Sequence, residues 1–350
     1  MNMTFFTGNC DVKGYLLGGH NSSNEAGDRG NMSTTIKETN TKFQGITFLM
    51  YLGHAILFLA SLFGNSLIIH IIRTNSSLKT TTNQLILHQA FTDVLITFVQ
   101  LMNAIHYNSY RRLWFGGSLG NFTCKLFLTS LIVLPDFSIW ILAMIGIDRY
   151  YAVSRPLQRS PVSRHLKKVI MILWVWSFLT STKLFIEACV ERHNTSYYCD
   201  LEITLNRGRK FNAFGLAFNI ILPVLVILIV YTRICNQLWS RKVPGEGSNQ
   251  NRMQAEVIAT ARKVTRMMIF VVFLFLVCWL PILITMAMLL FDLIQYEDLL
   301  FPLWLTVVYS ALNPYFYFAC SGNFRNAAKL SLGNVRVLRF RSQSIELQQV

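Results

Sequence analysis

Charge is what this chain has least of. Only 14% of its 350 residues are charged, where a soluble protein of similar length carries about 25%. Acidic residues are the scarcer half, 17 against 32 Lys and Arg, for a net charge of +15. A nucleic-acid-binding protein with that excess gathers it on one folded face. Here the basic residues fall between apolar runs, so no nucleic-acid partner is expected. The seven cysteines are odd in number and scattered, and no pair has zinc-finger spacing, which excludes a disulfide-framework miniprotein. Walker, H-E-x-x-H and G-x-G-x-x-G strings are missing. One G-x-S-x-G string, Gly116–Gly120, needs a strand before it and a helix after it to make a hydrolase nucleophile. It lies instead in a connection between two apolar runs, so an enzyme is not expected. The first 44 residues show no basic-then-apolar stretch with a cleavage site. They are rich in Asn, Gly, Ser and Thr and read as a disordered tail.

What the chain does have is hydrocarbon. Hydrophobic residues make up 53%, with 26 Phe and 7 Trp. Seven stretches are each long enough to cross a hydrocarbon layer of about 30 Å at about 1.5 Å per residue. They run approximately Ile46–Ile72, Thr82–His106, Asn121–Val153, Val169–Phe185, Phe211–Tyr231, Met267–Phe291 and Leu299–Ala319. None shows strand alternation over such a length, and a backbone in lipid must satisfy its own hydrogen bonds, so each is expected to be helical. The expectation is an all-α membrane protein: a seven-transmembrane helix bundle over residues 45–320, after an extracellular glycosylated tail over 1–44. A short amphipathic eighth helix on the membrane surface follows over 321–333, then a cytoplasmic tail over 334–350.

Lys and Arg orient the bundle. The connections after the first, third, fifth and seventh spans hold 20 basic residues and only a handful of acidic ones, while the other side holds 12 basic against 11 acidic. The first set is expected in the cytoplasm, with the N-terminus outside and the chain in the plasma membrane. N-x-Ser/Thr triplets headed by Asn2, Asn21, Asn31, Asn121 and Asn194 fall on the outer side and are candidate glycosylation sites. Cys124 precedes Asp148 by 24 residues, roughly 36 Å of helix, so it faces the oxidising side and needs a partner. The loop between spans four and five offers both Cys189 and Cys199.

Polar and helix-kinking residues within the spans are costly and call for a function. Gly64-Asn65 lies in the first span and Asp93 in the second. Pro135-Asp136 lies within the third, and Asp148-Arg149-Tyr150 at its end. The fifth has Pro223 and Tyr231. The sixth reads Phe275-Leu276-Val277-Cys278-Trp279-Leu280-Pro281, and the seventh Asn313-Pro314-Tyr315-Phe316-Tyr317 with Phe324 beyond. This set, in this order and on these spans, resembles the rhodopsin-like (class A) G-protein-coupled receptors, over about Ile46 to Lys329. The Cys-Trp-Leu-Pro and Asn-Pro forms look like those of its peptide receptors.

The resemblance implies a receptor that binds an extracellular ligand and activates a heterotrimeric G protein by outward movement of the sixth helix. It implies a Cys124–Cys199 disulfide, which leaves Cys10 and Cys189 for a second bridge. It makes Asp148, Arg149, Tyr150, Tyr231, Asn313, Pro314 and Tyr317 the coupling switch, and Ile139, Pro223, Phe275, Trp279 and Pro281 the connector behind it. No acid stands in Ala259–Lys263 at the start of the sixth span, so the second lock that many members use is expected to be absent. A sodium ion held by Asp93, Ser138 and Asn313 is implied as an allosteric ligand, with Tyr309 and Leu134 departing from the usual surroundings. No other cofactor is implied.

For the extracellular ligand the resemblance points to Gln100, Leu131, Trp279, Asp200 and Glu202. Leu131 stands where amine receptors carry Asp, which argues against an amine. Acidic residues in the outer loops, such as Glu187 and Glu191, suit a basic neuropeptide. Arg207, Arg209 and Lys210 would suit a lipid or small acidic metabolite, the second reading. Arrestin and membrane lipids are further expected partners. A transporter or channel is the rival from another class; it requires polar stripes along several spans, whereas only Asp93 and Asp136 are mid-membrane acids.

Overall fold

The computed structural model describes residues 29–108, 113–155, 158–193, 195–201, 215, 217–240, 249–291, 293, 300–322 and 324–330. Helices dominate, as the long apolar runs require. They are α1 (Arg29–Thr74), α2 (Thr81–Asn108), α3 (Gly117–Ser154), the single turn α4 (Pro161–Arg164), α5 (Leu166–Thr180) and α6 (Thr182–Glu187). A π-helical turn, Ala217–Ile221, leads into α7 (Leu222–Ser240), followed by α8 (Asn249–Leu290) and α9 (Leu300–Cys320). Residues 324–330 are helical as well, with Phe324 and Ala327 buried.

Among the described residues five helices are long and apolar enough to cross a membrane: Phe48–Thr74, Thr81–His106, Gly117–Ser154, Phe218–Ser240 and Met268–Leu289. They bury one stripe in a common core and expose large apolar residues on the other side, among them Phe63, Phe98, Ile229 and Phe273, as α5 does with Met171 and Phe178. That inside-out surface is what a bilayer solvates. The fourth span departs from the uniform helix expected over Val169–Phe185: it breaks at Ser181 into α5 and α6. Thr180 turns its hydroxyl back on the carbonyls of Trp176 and Ser177, and Thr182 on that of Phe178. Such back-bonding from adjacent hydroxyl residues bends helices.

Other departures extend elements beyond the expected spans. The tail expected to be disordered up to residue 44 is helical from Arg29 onward, continuous with the first span. Helix α8 starts at Asn249, well before the expected Met267. An antiparallel sheet of order β1-β3-β2 was not expected at all. Its strands β1 (Leu113–Trp114), β2 (Ala188–His193) and β3 (Ser196–Leu201) place Val190 opposite Cys199 and Leu113 opposite Tyr198. Helix α3 runs unbroken through Pro135.

The bundle is drawn together by polar residues at close contacts. In α1, the Asn65 amide donates to Ser61 Oγ at 3.0 Å and to the Ser310 carbonyl of α9 at 3.2 Å. A Cβ on Gly64 would stand 2.7 Å from Pro314 Cγ, so glycine there permits α1 and α9 to touch. Gly146 of α3 does the same for Tyr231 of α7, whose Cε2 would lie 3.0 Å from an added Cβ.

Candidate functional site

At one end of α3 sits the Asp148 cluster. Asp148 is buried and accepts from three donors: Ser160 Oγ at 2.6 Å, the Thr82 hydroxyl, and Arg149 Nη2 at 3.2 Å. The Arg149 guanidinium also donates to Thr82, which ties the end of α3 to the start of α2. Ser160 also caps the N-terminus of α4 by accepting from Ser163 N at 2.9 Å, as serine does at helix starts. The sequence marked Asp148 and Arg149 but gave no sign of Thr82 or Ser160. Tyr150 is half-buried and meets Tyr151 edge-on. Arg262, near the start of the sixth span, donates to the Leu238 carbonyl of α7 at 3.4 Å.

Tyr231 and Tyr317 are buried close to this cluster, and neither hydroxyl has a hydrogen-bond partner among the described residues. Above them Ile139, Phe275 and Trp279 belong to one buried apolar core. Phe275 stacks on Trp279 with centroids 5.6 Å apart and meets Tyr309 edge-on at 5.5 Å. Pro223 is buried directly after the π-helical turn. Proline supplies no N–H to the preceding turn, and a widened turn accommodates that loss. Pro281 lies within α8 and Pro314 within α9, both without interrupting the helix.

Asp93 is fully buried at the centre of the bundle. Asn313 Nδ2 donates to it at 2.9 Å and Gln89 Nε2 at 3.4 Å; the Gln89 amide also reaches Ser138 Oγ. The structure thus brings together Asp93, Ser138 and Asn313, and adds Gln89, which sequence reasoning missed. A glutamine one turn before Asp93 on an apolar helix was the available signal. The oxygen ends of both amides, Gln89 Oε1 and Asn313 Oδ1, are buried without partners among the described residues, as is Ser310 Oγ. Oxygen donors of this kind suit a hard cation.

At the other end of α3, Cys124 is bonded to Cys199 with Cα atoms 5.6 Å apart, which fastens β3 onto the helix. Cys124, Leu128, Ala188 and Cys199 form a small second core, with Leu131, Phe127 and Trp114 packed against it. Cys189 is disulfide-bonded too; Cys10 lies outside the described residues. Of the expected ligand contacts, Gln100 and Trp279 are buried and Leu131 is half-buried. Asp200 sits on β3 opposite Cys189, and Glu202 lies outside the described residues. The second mid-membrane acid, Asp136, turns away from the bundle centre towards the fourth span, where Thr180 Oγ1 donates to it at 3.5 Å. Of the candidate glycosylation sites, Asn121 is half-buried in the first turns of α3 and Asn31 lies in α1. Asn2, Asn21 and Asn194 lie outside the described residues.

Comparison with known proteins places this geometry. The family model described as "7 transmembrane receptor (rhodopsin family)" matches residues 64–317. The chain is 28% identical over 318 residues to the substance-P receptor of Mus musculus, covering 84% of this chain and 74% of that receptor. It is 27% identical to the allatostatin-A receptor of Bombyx mori, covering 77% and 75%. It is 29% identical to the substance-P receptor of Rattus norvegicus over 72% of its own length, and there spans 61% of the relative.

Proposed function

Because the chain belongs to the rhodopsin family of seven-transmembrane receptors, we propose that it binds an extracellular peptide and passes the signal to a heterotrimeric G protein at the Asp148–Arg149 end of the bundle. Members of this family are receptors, not enzymes, and the protein is a multi-pass membrane protein. Two features support its orientation. Disulfide Cys124–Cys199 belongs on an oxidising face, and the basic connections belong in the cytoplasm. The N-terminus is then extracellular, the C-terminus cytoplasmic, and the membrane the plasma membrane.

The observation that carries the coupling reading is the clamp on Arg149. Its guanidinium cannot lose its charge, and here it is held by Asp148 and Thr82 at the rim of the bundle. Beside it two buried tyrosine hydroxyls, Tyr231 and Tyr317, are unpaired among the described residues. Outward movement of α8 about Pro281 opens the inner cleft around Arg149 to the partner and lets Tyr317 and Tyr231 approach each other. A peptide that favours the open form shifts that equilibrium without creating a new state. The peptide reading rests on similarity to the substance-P, QRFP-like and allatostatin-A receptors. Asp93, Ser138 and Asn313, now with Gln89, are proposed to hold a sodium ion in the resting form. Residues 324–330 are proposed to lie on the inner membrane surface, with Arg325 and Lys329 towards lipid headgroups. Arrestin is proposed to meet the same inner face.

The direct test is nucleotide exchange on purified G protein, using the full chain in lipid vesicles and a panel of C-terminally amidated peptides. Peptide-dependent exchange that Arg149→Ala abolishes supports the reading. Gated ion flux through the same vesicles, without exchange, would replace it with a channel.

A further inference from the structure

Between the third and fourth spans, on the outer half of the bundle, lies a groove of ≈ 460 Å³ that faces the bilayer rather than the bundle centre. Its volume lies within the range of small-molecule sites, about 300–1,000 Å³. Its walls are apolar: Leu126 and Val133 on α3, Trp174 and Phe178 on α5, and Phe185 on α6. The break at Ser181 opens it, because α6 no longer continues the line of α5 along α3. Thr129 also lines the groove, is only 4% exposed, and its hydroxyl has no hydrogen-bond partner among the described residues. A threonine in a helix commonly turns its hydroxyl back on its own helix, as Thr97, Thr180 and Thr285 do here. In hydrocarbon no water replaces the lost bond, so the Thr129 hydroxyl is an unsatisfied donor in the wall of the groove.

One turn outward on the same helix face stands Lys125. Its ammonium donates to the carbonyls of Phe185 at 3.1 Å and Ile186 at 3.0 Å, and lies 5.8 Å from the Phe185 ring. An ammonium has three donors, so one is left over beside Phe185, which lines the groove. No acid lines the groove. Glu187 is paired with Lys183 at 3.6 Å, and Asp136, two residues from the lining Leu134, is buried against Thr180. Asp136 lies midway between Cys124 and Asp148 in sequence, which makes it the membrane midpoint. Lys125 then stands about 16 Å outward, at the edge of a hydrocarbon layer whose half-thickness is about 15 Å. Thr129 stands about 10 Å outward, just inside that edge.

We propose that this groove is a binding site for a long-chain fatty acid, the carboxylate pairing with Lys125 and accepting from Thr129 while the chain runs inward along Leu126, Val133 and Trp174. Two donors, a positive charge and no acid at the lip fit a carboxylate. A sterol hydroxyl would use Thr129 and leave Lys125 uncompensated. The apolar side chains of Leu134 and Val175 at the inner end set the direction, since they offer a carboxylate no donor. Such a ligand would wedge the third span against the fourth and bias the receptor independently of the extracellular peptide.

The test is photolabelling of the full chain in phosphatidylcholine nanodiscs with a diazirine analogue of palmitate, mapped by peptide mass spectrometry. Label is expected on the segments around Thr129 and Phe178. Palmitate should displace it, and palmitate methyl ester should need about tenfold more, the loss of one charge-assisted bond. Lys125→Gln should weaken labelling about tenfold and the nearly isosteric Thr129→Val about threefold, with thermal unfolding of the Thr129 variant not lowered. Equal competition by the methyl ester would overturn the proposal. So would displacement by lysophosphatidylcholine or a sterol but not by palmitate, or labelling indifferent to both substitutions. None of these readouts involves a G protein, so the result stands apart from the signalling test.

Discussion

Asp148 accepts from Ser160, Thr82 and Arg149 together, so its carboxylate is held by the connection after α3 and by α2, not by the sixth span. That arrangement fits a sixth span whose start, Ala259–Lys263, has no acid. Removing one donor should then loosen the clamp on Arg149. Ser160→Ala is expected to raise ligand-independent nucleotide exchange about tenfold, because a hydrogen bond to a charged group contributes about 1.5 kcal/mol or slightly more and tenfold in a two-state equilibrium corresponds to about 1.4. Exchange no faster than in the parent would show that Ser160 merely caps α4. The same scale decides the sodium proposal. A ligand bound only by the folded resting form at about ten times its Kd adds roughly 1.4 kcal/mol. Replacing potassium by sodium should therefore raise the unfolding temperature of the parent by a few degrees and that of Asp93→Asn not at all. An equal rise in both would mean that Gln89 and Asn313 satisfy Asp93 without an ion.

Elements show where the sequence was readable and where it was not. Long charge-free runs announce membrane helices because hydrocarbon tolerates nothing else, so α1, α2, α3, α7 and α8 were visible from hydropathy alone. The break of the fourth span at Ser181 was not, because Thr180, Ser181 and Thr182 look like ordinary interior residues until their hydroxyls turn on the preceding carbonyls. The hairpin of β2 and β3 escaped for another reason: Glu191, Arg192 and Tyr197 do not alternate cleanly, and its position is fixed by the Cys199 bridge, a long-range restraint. Asp93 was legible as an intramembrane acid. Gln89 was not, since nothing local says which way an amide points. Helix contacts make one prediction of their own. Gly64→Ala places a methyl 2.7 Å from Pro314 Cγ, and overpacking of that kind costs about 1–3 kcal/mol. The unfolding temperature of the solubilised receptor should fall by several degrees, whereas Gly45→Ala, with nothing within 4 Å, should leave it unchanged. Equal behaviour would mean that α1 does not press on α9 at this point.

Across the whole molecule, the proposed signalling needs a fixed end and a movable one. Cys124–Cys199 secures the outer end, and Phe275, Trp279 and Tyr309 fill the middle. At the inner end Tyr231 and Tyr317 keep their hydroxyls unpaired among the described residues. Leaving two buried hydroxyls unsatisfied raises the free energy of this form. A rearrangement that joins them recovers part of that cost only in the open form. Under the proposed function, binding at the two ends is coupled reciprocally: whatever factor the agonist adds to G-protein affinity, the G protein adds to agonist affinity. Tyr231→Phe and Tyr317→Phe should each reduce both factors, by about fivefold if the shared bond is worth about 1 kcal/mol. The double variant should lose no more than either single one, because the second substitution has nothing left to remove. Losses that multiply in the double variant would show the two tyrosines acting separately, and the movable end would have to be sought elsewhere among α7, α8 and α9.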